Sequence, residues 1–405
     1  MFSPNFDFEK LIQPINTVTF FKEYWERQCL VVSREDTDYY SGLFSMKDLD
    51  SLIRFTGIRY SDFKVSKWAE DLSNQGNKSG GKGSIDPNAS PSIYQFYDAY
   101  NQGNTLCLFH LQQHWEAIAI LCRNLEQYLN HPANVNLYLT PKTAQGFPPH
   151  FDTHDVFVLQ LSGTKLWRTY NSYWDLPLPE DARRLPQEVL REQLNAPTHE
   201  VELKAGDLLY IPRGFVHEVK TLDTSSLHLT VGIPVYRWVD LIQEALTSIV
   251  QQNVEFRKAV PVSFLRENDA RMQTKNQLTD LLKTFASSAD IDDAVERLTI
   301  KFIGSLSPLA DSHFSKLDEL QQIDLDTLVV KRQGMICTTV TKGDAVMIQF
   351  PQNRVEAPAY VEPAFRFIVE SKAAFPIKSL PDFASDNSKI VLVRRLLKEG
   401  LLTIV

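Results

Sequence analysis

The stretch from residue 136 to residue 170 reads NLYLTPKTAQGFPPHFDTHDVFVLQLSGTKLWRTY. Its apolar residues alternate with polar ones, as they do in half-buried strands, and Gly- and Pro-rich turns separate the runs. The segments of the chain with this pattern are 134–140, 151–163, 164–170, 199–221 and 226–235. We predict that the second and third of these pair as a hairpin. Short strands spaced in this way predict a mainly β core, built as a sandwich or a barrel.

Two histidines and one aspartate in this core have the spacing of a metal site. His150 and Asp152 lie two residues apart at the start of a predicted strand, so both side chains should point to one face. His217 follows in AGDLLYIPRGFVHEV (205–219), behind a turn predicted at 212–214. Two imidazoles and one carboxylate on one face of a metal form the facial triad of non-haem Fe(II) oxygenases. We therefore predict that His150, Asp152 and His217 bind iron, although an HxD pair alone is weak evidence.

A lysine and three polar residues are candidates to complete the site. Lys165 lies within a predicted strand, where a buried cation is costly unless it meets an anion. The anion we expect is the distal carboxylate of a dicarboxylate cosubstrate whose other end chelates the iron. Thr230 is a candidate to donate a hydroxyl to that carboxylate, and Asn136 and Tyr138 are candidates to line the same cavity. On pattern alone, a solvent-facing lysine and a packed barrel interior explain these residues equally well.

The composition is that of a globular protein. The 405-residue chain is 43% hydrophobic and 23% charged, which excludes a largely disordered or collagen-like chain. A net charge of −8 excludes a global basic surface that wraps nucleic acid. Cys29, Cys107, Cys122 and Cys337 show no CxxC spacing, so we expect neither disulfides nor a zinc site of that kind, and a reducing compartment.

No targeting or membrane segment is evident in the sequence. No apolar run reaches the roughly 18 residues of a membrane span, and the first residues lack the basic and apolar segments of a signal peptide. We therefore expect no membrane association and a cytoplasmic protein, or a nuclear or nucleolar one if the source is a eukaryote.

The pattern changes after the predicted β core. Apolar residues recur at three- and four-residue steps after about Tyr236, which predicts helices, and residues 311–405 show mixed α/β patterns. Residues 311–405 carry 12 basic and 12 acidic side chains. A predicted helix over 388–398 has four cations, which is more often a solvated face, so we do not expect direct nucleic-acid binding. Within the first part of the chain, 70–92 predicts a mobile loop and 179–195 a helical insertion.

The quoted run, followed by AGDLLYIPRGFVHEV, resembles the JmjC ribosomal oxygenases, which are Fe(II)- and 2-oxoglutarate-dependent protein hydroxylases. Close resemblance covers residues 134–232 and extends more weakly to FFKEYWERQCLVV (20–32). The family's iron ligands fall on His150, Asp152 and His217, its basic 2-oxoglutarate residue on Lys165, its cavity-lining pair on Asn136 and Tyr138, and its strand hydroxyl on Thr230.

The resemblance implies an architecture and a reaction. The fold implied is a double-stranded β-helix (cupin/JmjC barrel) with helical flanks in residues 1–234, a helical dimerisation region in 235–310 and a C-terminal winged-helix-like α/β domain in 311–405. The cofactor implied is Fe(II), with 2-oxoglutarate and O₂ as cosubstrates and succinate and CO₂ as products. The implied partners are a second copy of the chain and a ribosomal protein that is hydroxylated on histidine or arginine. An acidic chain suits a basic ribosomal partner.

Two positions in the sequence disagree about whether the oxidised side chain is a histidine or an arginine. Members of the family that hydroxylate histidine have a serine two positions beyond the strand hydroxyl, whereas this chain has Gly232, as the bacterial arginine hydroxylase does. Lys165 instead matches the histidine hydroxylases, because the bacterial enzyme has arginine there. His154 and His228 are further positions where a cavity-lining and a packing role both fit the pattern.

Two functions from other classes remain alternatives. One is a related Fe(II)/2-oxoglutarate enzyme that acts on a small molecule or on a histone methyl-lysine, and a closed small pocket would favour the small molecule. The other is a non-catalytic cupin-type binding module, against which the presence of all three ligands and of Lys165 argues.

Overall fold

A computed structural model describes residues 6–66, 89–181, 194 and 196–405 of the chain. The chain divides into two compact units, residues 1–235 and 236–405. Most of the predicted loop 70–92 and most of the predicted helical insertion 179–195 lie outside the described residues. The division into three domains with boundaries at 234 and 310 stays a prediction.

The first unit combines five helices with nine strands in its described part. Its helices are α1 (Phe8–Ile12), α2 (Thr17–Thr19, continued by a π-helical turn over Phe20–Tyr24), α3 (Met46–Phe55), α4 (Ile93–Asn101) and α5 (Glu116–Leu129). Its strands are β1 (Leu30–Val32), β2 (Phe63–Ser66), β3 (Thr105–Leu108), β4 (Asn134–Thr140), β5 (Asp155–Ser172), β6 (His199–Lys204), β7 (Leu208–Ile211), β8 (Phe215–Lys220) and β9 (Ser226–Ile233). The predicted mainly β core with helical flanks is confirmed.

One sheet forms the centre of this unit. Its described strands follow the order β1-β7-β5-β9-β4-β3-β2, and β6 and β8 pair with β5 outside that path. Leu137 of β4, Phe157 of β5 and Leu229 of β9 are fully buried in one core with Leu125 of α5. Each such side chain stabilises the fold by about 1.5–3 kcal/mol relative to an exposed one. The described strands leave β1 and β2 at the edges of the sheet rather than closing a barrel.

Residues 151–170 do not form the predicted hairpin. β5 begins at Asp155 and runs as a single strand of 18 residues. It has an irregularity between Gln160 and Ser162, and Gly163 follows with a φ of +65°. The first half of β5 pairs with β7 and β9, and the second half with β6 and β8. The hairpin prediction was wrong because the glycine bends the strand toward new neighbours without reversing it.

Gly163 has a second reason to be glycine besides its backbone conformation. A Cβ atom built on this residue would lie 1.8 Å from the carbonyl oxygen of Ser225. The close approach of the two backbones therefore requires that no side chain stand between them.

The second unit is helical first and mixed afterwards, as the pattern predicts. Its helices are α6 (Trp238–Gln252), α7 (Asn268–Ser288), α8 (Ile291–Ser305), α9 (His313–Leu317), α10 (Glu362–Glu370) and α11 (Asp386–Lys398). Its strands are β10 (Leu328–Lys331), β11 (Thr338–Lys342), β12 (Ala345–Phe350), β13 (Asn353–Pro358), β14 (Phe375–Pro376) and β15 (Leu402–Ile404). The order β14-β10-β15 makes one three-stranded sheet, and β11-β12-β13 makes another. The winged-helix-like character of residues 311–405 stays a prediction.

Three of the cations on α11 are used inside this unit. Lys389 forms an ion pair with Asp382 at 2.6 Å, Arg394 donates to the carbonyl of Leu320, and Arg395 donates to the carbonyl of Glu356. These contacts supply a structural role for the cations, and the expectation that the chain does not bind nucleic acid directly stays a prediction.

Among the described residues, every helix is too short or too polar to cross a bilayer. The four cysteines are free thiols, and Cys107 and Cys122 are buried in the core.

Candidate metal and cosubstrate site

A backbone bridge holds two of the predicted ligands side by side. The amide of His150 donates to the carbonyl of His217 at 3.0 Å, and the amide of His217 donates to the carbonyl of His150 at 2.8 Å. Residues opposed in this way project their side chains to the same side of the pair. The two imidazole centroids are accordingly 4.4 Å apart.

Asp152 reaches the site for a different reason from the one predicted. Residues 141–154, between β4 and β5, belong to none of the named strands, so strand alternation does not place this carboxylate. Instead, the amide of Gly214 donates to the carbonyl oxygen of Asp152 at 2.9 Å. The turn before β8 therefore anchors the irregular segment that carries Asp152.

The two imidazoles are oriented for a metal. His150 Nδ1 lies 2.9 Å from the carbonyl oxygen of Pro148, and His217 Nδ1 lies 3.2 Å from that of Phe215. Because a carbonyl only accepts, each Nδ1 carries the proton, and each Nε2 keeps a free lone pair.

The charges of Asp152 and His217 also suit a metal. Burial alone would raise the pKa of Asp152, but the imidazoles of His154, His150 and His217 together lower it below its usual value. Burial, aided by His150, lowers the pKa of His217 to about 4. An anionic carboxylate therefore stands beside a neutral imidazole at neutral pH.

The donor set fits a divalent metal ion. His217 Nε2 lies 3.8 Å from Asp152 Oδ2, and one ligand atom from each of His150, Asp152 and His217 lies within 4.8 Å of the others. Two imidazole nitrogens and one carboxylate oxygen suit Fe(II) and leave positions open for other ligands.

All seven residues singled out in the sequence line one cavity of about 130 Å³. They are His150, Asp152, His217, Lys165, Thr230, Asn136 and Tyr138. The cavity is well above the ~10–15 Å³ that one water molecule needs. The structure thus brings the predicted residues together, and their individual roles remain proposals.

Lys165 is a buried cation without a carboxylate partner in the described part of the chain. Its side chain is 3% exposed, and Nζ donates to Thr140 Oγ1 at 2.8 Å. Thr105 Oγ1 in turn lies 3.1 Å from Thr140 Oγ1. Burial lowers the pKa of Lys165 to about 7, as expected for an ammonium group whose charge is uncompensated. A carboxylate ligand in this cavity would supply the missing charge.

Strands β4 and β9 place the remaining predicted residues opposite each other. Asn136 pairs with Thr230, and Tyr138 pairs with His228, in the antiparallel register. Burial raises the pKa of Tyr138, so its phenol stays neutral. Its ring stacks on the imidazole of His228, with centroids 5.0 Å apart and planes 8° apart. These two strands therefore form one wall of the cavity.

His228 and Trp167 belong to the cavity wall rather than to the core alone. Both line the cavity and are nearly fully buried, and their rings meet edge to face at 5.6 Å. Among the described residues, no group hydrogen-bonds to His228 Nδ1 or to Trp167 Nε1. Burial, with the nearby Lys165, lowers the pKa of His228 well below its usual value, so this imidazole is neutral.

Thr140 and Thr105, which hydrogen-bond in succession from Lys165, were missed by the sequence analysis, and Thr105 also lines the cavity. Thr140 continues the alternation of Asn136 and Tyr138 on β4, which is the signal that identifies it. Thr105 lies on β3, and only the pairing of β3 with β4 brings it near.

The chain is similar to known proteins across this region. A family model described as the JmjC domain matches residues 108–241. Ribosomal oxygenase 1 of Danio rerio is 31% identical over 328 residues, which cover 74% of this chain and 56% of that protein. Ribosomal oxygenase 2 of Bos taurus is 32% identical over 330 residues, which cover 76% of this chain and 68% of that protein. The matches to curated ribosomal oxygenases 1 and 2 cover between 38% and 68% of the length of these relatives.

A solved structure shares the fold over nearly the whole chain. It is that of YcfD, a ribosomal oxygenase from Escherichia coli, in complex with cobalt and 2-oxoglutarate. The match has a TM-score of 0.54 and covers 96% of this chain and 98% of the other. At 16% sequence identity this similarity concerns the fold alone. The predicted fold class, a mainly β JmjC/cupin-like core with helices, is confirmed.

Proposed function

Because the chain belongs to the ribosomal oxygenase family of JmjC-domain proteins, we propose that it is an Fe(II)- and 2-oxoglutarate-dependent oxygenase that hydroxylates a histidine or arginine side chain of a ribosomal protein. The family resemblance found in the sequence is thereby confirmed. The observation that carries the proposal is a single cavity in which His150, Asp152 and His217 stand beside Lys165, whose ammonium group has no carboxylate partner among the described residues.

Each part of the cavity has a proposed task. His150, Asp152 and His217 hold Fe(II), which with 2-oxoglutarate and O₂ supplies the oxidising power for hydroxylation of a C–H bond. Lys165 and Thr230 bind the distal carboxylate of 2-oxoglutarate, and Thr140 fixes the position of the Lys165 ammonium group. A charge-assisted contact of this kind orients the cosubstrate before the substrate arrives.

The cavity wall favours histidine as the oxidised residue. Among the described residues that line the cavity, Asp152 is the only carboxylate, and the metal would occupy it. A guanidinium group is usually matched by a free carboxylate that accepts two hydrogen bonds. Neutral groups such as Asn136, Tyr138 and Thr230 instead suit the single donor and single acceptor of a neutral imidazole.

A second copy of the chain is the proposed partner of the helical region. No residue of α7 is buried, and α7 exposes Met272, Leu278 and Leu282. Most helical stability in proteins comes from packing of an apolar face. A homodimer that covers this face would supply that packing. The proposed compartment is the cytoplasm, or the nucleus and nucleolus in a eukaryote, where ribosomal proteins are available.

Metal binding and 2-oxoglutarate turnover test the proposal. The wild-type protein should bind one Fe(II) per chain under anaerobic conditions, and should form succinate from 2-oxoglutarate when O₂ and ribosomal proteins are added. Asp152→Ala should lose both properties, whereas Asp50→Ala, an exposed acid on α3, should keep them. Full turnover by Asp152→Ala would show that the triad assignment is wrong.

A further inference from the structure

At the edge of the cavity, the ring of His154 lies in the space that a side chain at position 232 would need, and residue 232 is a glycine. A Cβ atom built on Gly232 would lie 2.7 Å from Cδ2 and 2.8 Å from Nε2 of the His154 ring, and 2.9 Å from Oδ1 of Asn134. Carbon atoms in contact are ordinarily 3.5–4.0 Å apart. Any residue other than glycine at position 232 would therefore push against the imidazole.

The backbone gives no separate reason for this glycine. Gly232 is absent from the glycines with a left-handed φ, so another residue could adopt its conformation. It lies within β9, directly opposite Asn134 of β4, where a strand interior normally carries a side chain. The position is small because the His154 ring, together with the side-chain oxygen of Asn134, fills the space that a Cβ atom would need.

His154 is placed to meet a ligand of the cavity. It lines the same cavity as Asp152 and Tyr138, and it is half-buried. Within the described part of the chain, no hydrogen bond involves its imidazole. The ring therefore presents a flat face and two nitrogen atoms beside the metal ligands, and neither nitrogen is hydrogen-bonded within the described part of the chain.

We propose that His154 contacts the side chain of the substrate, and that Gly232 is a specificity-determining residue because it leaves room for that imidazole. This inference rests on the proposed function and extends it to the substrate. A larger residue at position 232 and an inward His154 exclude each other, so the pair acts as one unit. The class of side chain it selects is flat and able to form hydrogen bonds, as both an imidazole and a guanidinium group are.

The contact predicts a defined set of effects. His154→Ala should raise the KM for the protein substrate about three- to tenfold, the loss expected for one hydrogen bond. Gly232→Ser should do the same by displacing the ring. In the His154→Ala background, Gly232→Ser should have a smaller further effect on KM, because the ring it would displace is absent and only Asn134 still lies close to the added Cβ atom. Such non-additivity is the signature of two residues in contact.

The experiment uses the full chain loaded with Fe(II) and the ribosomal protein that gains oxygen in its presence. The measured quantities are KM and kcat for that protein, the ratio of hydroxylated product to succinate, and the anaerobic affinity for 2-oxoglutarate. The proposal expects a higher KM and a lower product-to-succinate ratio in both single variants, with unchanged 2-oxoglutarate affinity. His199→Ala, an exposed histidine on β6, is the matched control and should behave as wild type.

The possible outcomes separate this inference from the proposed function. Wild-type protein that forms no succinate overturns the proposed function and this inference with it. An active wild type whose His154→Ala and Gly232→Ser variants keep the wild-type KM and product ratio overturns this inference alone. A lower melting temperature in those variants with unchanged KM would show that the two residues only pack together. Gly232→Ala, the smallest change that adds the Cβ atom, repeats the test if the serine variant does not fold.

Discussion

The ammonium group of Lys165 lies 2.8 Å from the hydroxyl of Thr140, and this hydroxyl takes the place that a carboxylate usually has beside a buried lysine. The pairing keeps the cation oriented but leaves its charge uncompensated. The cavity is thus prepared for an anion, and the same feature makes its affinity for that anion depend on pH.

Affinity for 2-oxoglutarate should fall above pH 7. Burial holds the pKa of Lys165 at about 7, so the protonated form that attracts a carboxylate is lost as the pH rises through that value. The decrease should approach tenfold per pH unit, which is about 1.4 kcal/mol. Titration calorimetry with the Mn(II)-loaded protein under anaerobic conditions, at several values between about pH 6.5 and 9, measures it.

Lys165→Arg is the matched variant for this titration. Arginine keeps its charge throughout this range, so its affinity should be flat with pH even if the altered geometry weakens binding. If the wild type bound 2-oxoglutarate equally well at the lowest and the highest pH, a titrating lysine in the site would be contradicted.

Asp155 should make the first unit less stable as the pH rises. Burial raises the pKa of Asp155 from 3.8 to about 7, although a hydrogen bond from Tyr210 opposes the rise. Between these values the folded state holds a proton that the unfolded state has released, so the free energy of unfolding falls with increasing pH. The slope is at most about 1.4 kcal/mol per pH unit.

Asp155→Asn should remove that slope, because an amide does not titrate while its oxygen still accepts from Tyr210. Denaturant unfolding at about pH 5 and pH 7 measures the difference. The exposed Asp50→Asn serves as the control. If the free energy of unfolding changed by the same amount between these two pH values in the wild type and in Asp155→Asn, the assignment would be refuted.

Gly163→Ala should destabilise the chain more than Gly57→Ala. The two glycines have nearly the same φ, +65° and +63°, but a Cβ atom on Gly57 would meet nothing within 4 Å, while one on Gly163 would lie 1.8 Å from Ser225 O. The left-handed conformation costs about 1–2 kcal/mol for alanine. Gly57→Ala should lose about this amount, and Gly163→Ala should lose more because the two backbones must separate. Comparable unfolding curves for the two variants would contradict the close approach.

The apolar face of α7 should be covered by a second copy. Leu278 and Leu282 lie one helical turn apart and are 54% and 59% exposed. Glutamate at both positions should give a monomer, because burying two carboxylates at an interface is costly. Light scattering of the eluted protein gives the mass. Asn276→Glu, on the opposite face of α7, should leave the dimer intact, and a monomeric wild type would refute the proposed dimer.

Local pattern predicted much of the site. The alternation of residues 134–140 matches β4 in both bounds, and Asn136 and Tyr138 of this strand line the cavity. The HxD pair and the turn before His217 were sufficient to identify the three clustered residues. Such predictions succeed because they depend on short-range geometry that the backbone repeats regularly.

The features that were not predicted correctly depend on residues far apart in the chain. Gly163 fits a hairpin turn and a bulged strand equally well, and only the pairing of β5 with β6 to β9 decides between them. The contact between His154 and Gly232 joins residues in different elements, so no local pattern reports it. Asp152 reaches the site through a bond from Gly214 rather than through strand alternation.

The central claim is most directly tested by the intact masses of ribosomal proteins from source cells with and without this gene. The account predicts that one ribosomal protein lacks a single oxygen atom in the cells without the gene, and that wild-type protein but not His150→Ala restores it. Fragmentation then shows whether histidine or arginine carries the oxygen. Identical masses for every ribosomal protein in the two cell lines would contradict the claim that this oxygenase acts on the ribosome.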